Sequence, residues 1–579
     1  MEDPYADCSP DHCLFIRCGS IHPQSPHHKP GKSFPAYTAA GMRGGRAMTE
    51  TCKVLMVFPR FNAGSFWNYK EACDLAGARY PAAPLGLITV AALLPKHWDV
   101  RLVNRNTETL TDADFAWADM VMTGGMLPQR NDAQHIIEMS HAHNRPVVVG
   151  GPDVTSSPAL YSGANFQVLG EAEEIMGDFI AAWRRGDRQG VFEAPMGKTD
   201  VTKSPLPRFD LLKFDQYLHV GVQFSRGCPF SCEFCDIIEL YGRTPRTKTN
   251  EQVLAELDAL YALGYRGHVD FVDDNLIGNK KALKKFLPDL KRWQADRKYP
   301  FEFSTEASIN LADDADLLRS LSDTNFFAIF VGIESPDTDT LVMTQKKQNT
   351  RRSLQQSIET IHKAGIFVNA GFIVGFDSEK GSVASGMIEC IEDTAIPVCM
   401  VGLLYALPTT QLTRRLLSEG RLFPADDQTQ SGDQCTAGLN FETLRPRRDV
   451  LNDYRTVLRT IYDPVAYFGR VRRLGRMLKR TRAHRMVKGD LRSFFRLLFR
   501  IHRSGPGTGR QFWRMMLDCA LHNPKALPYV VMTSALYLHL GPFARQVAGE
   551  IDREIADVDQ GRWHAPMPQK VPDIVPVPA

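Results

Sequence analysis

Arg226-Gly-Cys-Pro-Phe-Ser-Cys-Glu-Phe-Cys235 carries three cysteines, Cys228, Cys232 and Cys235, separated by three residues and then by two. This spacing can bring three thiolates to one face of a single compact loop. Three thiolates can bind three irons of a 4Fe–4S cube and leave the fourth iron open for chemistry. A zinc knuckle or buried thiols is the competing reading. It lacks a fourth Cys or His nearby in sequence, and structural zinc sites are closed by four protein ligands.

Outward from the loop, the chain alternates. YLHVGVQFSRG (217–227) reads as the strand leading into the cysteines. NEQVLAELDALYALG (250–264) reads as a helix. Asn250 is its expected N-cap, Val253, Leu254, Leu257, Leu260 and Tyr261 form its apolar stripe, and Gly264 ends it. Strands are expected at HVDFVDD, FEFSTEAS, FFAIFVGIES, FVNAGFIVGFD and PVCMVGLLYALP, with helices such as RRSLQQSIETIHKAG between them. Six strands with helical crossovers predict an incomplete parallel barrel, whose active site lies at the carboxyl ends of its strands. Polar residues gather at those ends: Asp273, Asp274 and Asn275; Glu306; Glu334 and Ser335; Asp377. The plain alternative for the acids is solvated strand ends.

The front of the chain alternates too. KVLMVFP, DVRLVNRN, ADMVMTGG and RPVVVGGP read as strands, YPAAPLGLITVAALLP as a loop feeding a helix near Leu85, and LGEAEEIMGDFIAAW as a loop continuing into an amphipathic helix. This pattern predicts a doubly wound parallel sheet, which binds ligands beyond the carboxyl ends of its strands. Gly124, Gly125, Gly150, Gly151 and Gly170 stand there, where glycine lets backbone approach a large ligand. The expected units are 1–47, a disordered or mis-called extension before Met48; 48–195; a linker at 196–216; 217–435; a helical domain at 436–562; and a disordered tail at 563–579. Cys8, Cys13, Cys18, His27 and His28 in the extension do not have zinc-motif spacing.

Twelve cysteines in 579 residues are too sparse for a disulfide scaffold, so a reducing, cytoplasmic setting is expected. The net charge of +3 selects no partner class. No uninterrupted apolar run of about 18 residues predicts a transmembrane helix. The helical region is rich in arginine, as in GRVRRLGRMLKRTRAHR and LRSFFRLLFRIH. It reads as a solvated lid, a membrane-surface patch at the inner face or a nucleic-acid face, the last being the least expected.

The cysteine loop resembles the CxxxCxxC signature of the radical S-adenosylmethionine superfamily, and the strand-end residues resemble its companions in order. The resemblance implies that Asp273-Asp274-Asn275 hold the methionine amino group and that Glu306 meets the ribose. Gly332-Ile-Glu334-Ser and the Gly371–Gly375 segment would flank the adenine. Residues of about 50–195 resemble cobalamin-binding domains fused to such enzymes. Gly124, Gly125, Gly150, Gly151, Gly170 and Glu171 of GEAEE would line that cofactor. The DxHxxG signature is absent, and His135 is not proposed as a cobalt ligand. The implied fold is α/β: a Rossmann-like cobalamin domain, a (β/α)6 partial barrel and a mainly α-helical C-terminal domain. The phrases CDIIELYGRTPRTKT, HVDFVDDNLIGNKK and GLLYALPTTQLTRRL resemble hopanoid carbon-2 methylases. The resemblance implies a class B C-methylase using a 4Fe–4S cluster, S-adenosylmethionine and cobalamin, with a small-molecule or lipid substrate and a flavodoxin- or ferredoxin-type electron donor. The alternatives are ring closure or rearrangement with the same cofactors, and a non-enzymatic cobalamin or redox sensor. Methyl transfer requires the two strand-end sites to face each other. Tyr241 and Tyr405 are expected near the active face; no catalytic base is named.

Overall fold

The structure is a computed structural model that describes residues 51–62, 64–424, 438–480 and 490–569. The readings for residues 1–47 and Met48, the 435/436 boundary and residues 570–579 lie outside the described residues. In chain order the strands are Lys53–Phe58 (β1), Tyr80–Ala82 (β2), Asp99–Asn104 (β3), Met120–Gly124 (β4), Val147–Gly150 (β5), Phe166–Leu169 (β6), Gly190–Glu193 (β7), Tyr217–Val222 (β8), Ser225–Arg226 (β9), Arg246–Thr247 (β10), Gly267–Phe271 (β11), Phe301–Glu306 (β12), Phe326–Glu334 (β13), Phe367–Val374 (β14) and Cys399–Leu403 (β15).

The front sheet has six parallel strands in the order β3-β1-β4-β5-β6-β7. Its strands are apolar on both faces because helices cover both. Val54, Met56, Met120 and Met122 pack with Phe179 and Trp183 on one side; Leu55, Val57 and Val121 pack with Phe115, Ile136 and Ile137 on the other. The strand order reverses at β1, so the crevice between β1 and β4 is the topological switch point. β6 and β7 were not expected. Each is four residues long, too short for a period-two pattern to show.

The second sheet is a curled half-barrel of seven parallel strands, β15-β14-β13-β12-β11-β8-β2, rather than the expected six. The added strand is β2, from a segment read as a loop. Tyr80 pairs with Tyr217 and Ala82 with His219. Pro81 lacks an N–H, which an edge strand tolerates, so YPAA carries no ordinary strand signal. Valines and phenylalanines such as Val269, Phe271, Phe301 and Phe303 face the covering helices, where Phe271 meets Phe286 at 6.3 Å and Phe301 stacks on Trp293 at 5.5 Å. The alternate residues, among them His268, Asp270, Ser304 and Glu306, face the lumen. The helix over this sheet starts one residue earlier than expected. Thr249 is the N-cap, in a capping box with Gln252, and Asn250 is the first helical residue.

The C-terminal segment is helical: Arg447–Ile461, Pro464–Met477, Asp490–Arg503, Thr508–His522 and the 33-residue Leu527–Asp559. It closes the amino-terminal end of the half-barrel. Arg480 donates to the carbonyls of Phe326 (2.9 Å) and Gly365 (3.2 Å) and to Asn325 Oδ1 (2.7 Å), with its guanidinium over Tyr529. Arg470 is fully buried and donates to the carbonyls of Ile396 (2.8 Å) and Ile461 (2.5 Å). Two arginines of the basic stretch are therefore structural bolts. Arg480→Met would leave buried carbonyls without donors, so it is expected to lower stability by about 3 kcal/mol, read as a fall in the urea unfolding midpoint.

Candidate functional site

The cysteine loop is held from below by carboxylates. β8 ends at Val222, and the next backbone amides turn toward the end of β11. Asp273 accepts from the Phe224 N–H (3.0 Å), the Ser225 N–H and the Ser225 hydroxyl (2.5 Å). Asp274 accepts from the Gly227 N–H at 2.9 Å. Burial pushes the Asp273 carboxyl up to about 7 and that of Asp274 to about 6, against the pull of these donors. Gly227 sits at φ 92°, and a Cβ there would lie 2.9 Å from the Gly242 carbonyl. The two-stranded β9–β10 ladder forms the loop's stem, and the Cys228 N–H donates back to Gly242 O at 3.3 Å.

All three thiols are free. Asn275 Nδ2 lies 3.9 Å from Cys228 Sγ, and Gln348 Nε2 lies 3.8 Å from Cys232 Sγ. Burial pushes the Cys228 thiol up and the Cys235 thiol well up. Holding them as thiolates therefore takes a bound metal or a nearby cation. Lys346 supplies the cation: its ammonium acts on Cys232 and Cys235 and pairs with Glu334 at 2.6 Å. Among the described residues no three Cys, His, Asp or Glu side chains converge on one ion. Three separated thiols with N–H donors and a neighbouring ammonium fit a three-thiolate cluster.

The rim above the loop combines several expected residues. Asn275 Nδ2 donates to Ser308 Oγ (3.2 Å), and its Oδ1 accepts from the Ser308 N–H at 3.2 Å. Glu334 sits at φ 66° beside a register shift between Gly332 and Glu334, a local irregularity that re-aims the side chain. A Cβ on Gly332 would fall 2.3 Å from Glu334 Oε1 and 2.7 Å from Lys346 Nζ, so a side chain there would displace the ion pair. Glu306 ends β12 with its carboxyl open to the lumen but enclosed by protein; that enclosure pushes it up to about 8. Gly371 lies beside Phe330 and Met400 on the lumen wall. Gly375 (φ 109°) and Asp377 follow the carboxyl end of β14. Leu439 fills the space over Gly375, and Asp377 is tied to Arg415 (2.8 Å) and Arg421 (2.6 Å). Lys346, Gln348 and Asn349, from MTQKKQN, were missed, because nothing local marks a lysine in such a stretch as enclosed.

The carboxyl ends of the two sheets meet at an ionic clamp. Glu171 follows β6 and is buried between Arg246 (2.8 Å) and Arg226 (3.1 Å); Glu173 pairs with Arg226 at 2.6 Å. Arg246 also donates to the carbonyls of Thr199 (2.7 Å) and Tyr241 (2.8 Å). Against its burial, the Arg226 guanidinium holds the Glu173 carboxyl below the usual range. The carboxylate expected to line the cofactor is thus engaged by the stem of the cysteine loop. Nearby, the Pro152–Ser156 helix packs on the Ile237–Leu240 helix, and Arg130 is paired in a buried site with Asp153.

Gly124, Gly125, Gly150, Gly151 and Gly170 lie along the front sheet's carboxyl edge, each partly exposed. A Cβ on Gly124 would strike the Gly150 carbonyl at 2.1 Å, so strand packing alone already demands glycine at that point. The result is a side-chain-free floor with Met126 exposed beside it, which fits a broad planar ligand. His135 lies on an exposed helix face against Glu138 (3.4 Å), away from that floor.

The lumen between the sheets has two kinds of wall. An aromatic wall comes from Phe58 and Phe61 against Tyr80 (6.4 and 5.9 Å) and from Trp67 against Phe330 (5.7 Å). A polar chain runs deeper. His219 lies against His268 (4.9 Å), His268 Nε2 meets Ser304 Oγ at 2.6 Å, and Ser304 donates to Asp270. Burial lowers both histidines, His268 well below the usual range, so they are neutral.

Residues 222–383 match the radical SAM superfamily, residues 73–180 the B12 binding domain and residues 410–553 a domain of unknown function. An uncharacterized methyltransferase of Synechocystis sp. is 41% identical over 510 residues, 87% of this chain and 94% of that protein. The hopanoid C-2 methylase of Rhodopseudomonas palustris is 37% identical over 424 residues, 72% of this chain and 78% of that protein. The solved structure of the cobalamin-dependent S-adenosylmethionine radical enzyme OxsB, with aqua-cobalamin and S-adenosylmethionine bound, is similar in fold. Its TM-score is 0.55 at 14% identity, over 89% of this chain and 82% of that one.

The clamp has a measurable consequence. Arg246→Met would strand the buried Glu171 with one partner and is expected to destabilise the protein by about 3 kcal/mol. Adding Glu171→Gln should recover part of that loss, a coupling read from urea unfolding of the two single variants and the double variant.

Proposed function

The chain belongs to the cobalamin-binding radical S-adenosylmethionine methyltransferases, and we propose that it transfers a methyl group to an unactivated carbon of a polycyclic lipid such as a hopanoid. The family's cofactors are a 4Fe–4S cluster, S-adenosylmethionine and cobalamin. The cluster supplies the electron that cleaves S-adenosylmethionine, and cobalamin carries the methyl group.

The residue roles follow the geometry. Cys228, Cys232 and Cys235 hold the cluster, with Asn275 and Gln348 directed at two of the sulfurs and Lys346 offsetting their charge. Asp273 and Asp274 act through the loop backbone, fixing where the thiols stand. Asn275, Glu306, Gly332, Glu334 and Gly371 form the seat for S-adenosylmethionine, with Glu306 as the open carboxyl group for the ribose. The glycine floor from Gly124 to Gly170 seats cobalamin. The single observation that carries the reading is the clamp of Glu171 and Glu173 on Arg226 and Arg246, because methyl transfer needs the two strand-end sites face to face. The aromatic wall supports an apolar substrate, and the 37% identity to a hopanoid C-2 methylase supports its class. A flavodoxin- or ferredoxin-type protein would deliver the electrons. Among the described residues no helix is long and apolar enough to cross a membrane, so contact with a lipid substrate would be peripheral.

Two measurements check this. Protein reconstituted anaerobically with cobalamin, a reductant and trideuteromethyl S-adenosylmethionine should convert a detergent-dispersed pentacyclic triterpenoid to a product bearing one added trideuteromethyl group. Equal amounts of 5′-deoxyadenosine and S-adenosylhomocysteine should accompany it. An altered product without the methyl mass would favour ring closure or rearrangement. In addition, Cys228→Ala, Cys232→Ala and Cys235→Ala should each lose bound iron and 5′-deoxyadenosine formation while retaining cobalamin, measured by iron analysis and visible spectra.

A further inference from the structure

The helices Asp490–Arg503 and Thr508–His522 expose apolar side chains that the fold does not use. Leu491, Phe495 and Phe499 are 62, 60 and 63% exposed, and Trp513, Leu517 and Leu521 are 40, 62 and 80% exposed. Both sets recur every four residues, so each forms one stripe on a helix. The opposite faces are buried, through Leu497 and Ile501 on the first helix and Phe512, Met515 and Cys519 on the second. Among the described residues, every exposed Phe or Trp lies on these two helices. The stripes meet where Trp513 Nε1 donates to His502 Nε2 at 3.2 Å, one turn beyond Phe499.

Arginines flank both stripes. Arg492, Arg496, Arg503, Arg510 and Arg514 are exposed, and none has a carboxylate partner among the described residues; Arg503 instead lies over the Phe499 ring at 5.1 Å. The acid on the second helix, Asp518, is engaged by Arg476. Exposed aromatic rings bordered by unpaired guanidiniums are complementary to the boundary between anionic headgroups and acyl chains. The first helix is also joined to the lumen wall. Ser493 donates to Leu75 O (2.8 Å) and Arg500 lies 3.7 Å from Asp74, both on the Lys70–Ala76 helix. That helix directly follows the segment whose Trp67 meets Phe330 in the lumen.

We propose that this two-helix surface docks the enzyme on an anionic lipid bilayer, with the lumen beside the face that touches lipid. The docking itself stands on the exposed stripes; its purpose, taking up a membrane-dissolved substrate, rests on the reading above. The test uses full-length protein and vesicles of phosphatidylglycerol with phosphatidylcholine, against phosphatidylcholine alone. Wild type should float with anionic vesicles, lose binding as salt rises, and shift its tryptophan emission to the blue, a shift absent in Trp513→Phe. Phe495→Ser with Phe499→Ser should weaken partitioning by about tenfold or more, and Arg492→Glu with Arg496→Glu should abolish the preference for anionic lipid. All five substituted positions are exposed, so the unfolding midpoint should not move. The Phe495→Ser, Phe499→Ser pair should slow methylation of vesicle-embedded triterpenoid and leave turnover on detergent-dispersed triterpenoid unchanged. Wild type remaining wholly in solution with anionic vesicles would overturn the proposal. So would self-association abolished by the phenylalanine pair without vesicle binding, which would make a second copy the occupant. Vesicle binding without any methylation would sustain the docking and sink the assigned reaction.

Discussion

The two sheets of this molecule are joined at their carboxyl ends by two arginines in the stem of the cysteine loop, neutralised by two glutamates from the other sheet. Arg226 and Arg246 lie on paired short strands directly beneath the cysteines, and Glu171 and Glu173 lie in the turn after β6. Removing one member leaves a buried charge unpaired, a cost of about 3–5 kcal/mol, whereas an exposed ion pair contributes at most about 1 kcal/mol. The carboxyl ends of both sheets are therefore locked together at the point where two cofactor seats must face each other. A hydrophobic contact could also join two sheets, but it would not fix their orientation as sharply as directed bonds that also engage the Thr199 and Tyr241 carbonyls.

The same economy recurs at the loop. Asp273 and Asp274 look in sequence like ligand-binding acids; both oxygens of Asp273 accept from the Phe224 and Ser225 amides, and one oxygen of Asp274 accepts from the Gly227 amide. They locate the cysteines indirectly. At the other end of the half-barrel, Arg480 caps the carbonyls of Phe326 and Gly365 where the chain enters β13 and β14. A half-barrel has an open side and must borrow its closure. Here the front segment lends β2 and the aromatic stretch around Trp67, and the C-terminal segment lends Arg480, Tyr529 and the long helix, whose His539 lies against Phe66 O (3.2 Å).

What could be read from the sequence was what is local. The cysteine spacing, the long apolar strands and the strand-end polar residues each declare themselves within a few positions. The short strands β2, β6 and β7 did not, because three or four residues cannot establish a period. The partners that set the site were also hidden. Arg246 meets Glu171 across 75 positions, and Arg480 meets Phe326 across 154. Glycine was ambiguous for a related reason. Gly124 reads in sequence as a cofactor contact, but the Gly150 carbonyl already excludes a side chain there, and at Gly332 a side chain would displace the Glu334–Lys346 pair. The arginine-rich region divides likewise: Arg470 and Arg480 are buried and structural, while Arg492 and Arg496 are exposed.

The lumen's polarity constrains the chemistry further. Burial lowers the His219 and His268 imidazoles and raises the Glu306 carboxyl, so the charged form of each of these groups is disfavoured. Radical hydrogen abstraction moves a hydrogen atom without separating charge, so it is compatible with such a space, whereas removing a proton from carbon would need a stabilised anion. An aromatic wall of Tyr80, Trp67 and Phe330 offers a surface that would orient an apolar substrate by shape rather than by hydrogen bonds. A substrate carbon lacking any activating group can then be chosen only by where it is held. The rigidity of the clamp between the two sheets is what lets position substitute for chemical activation.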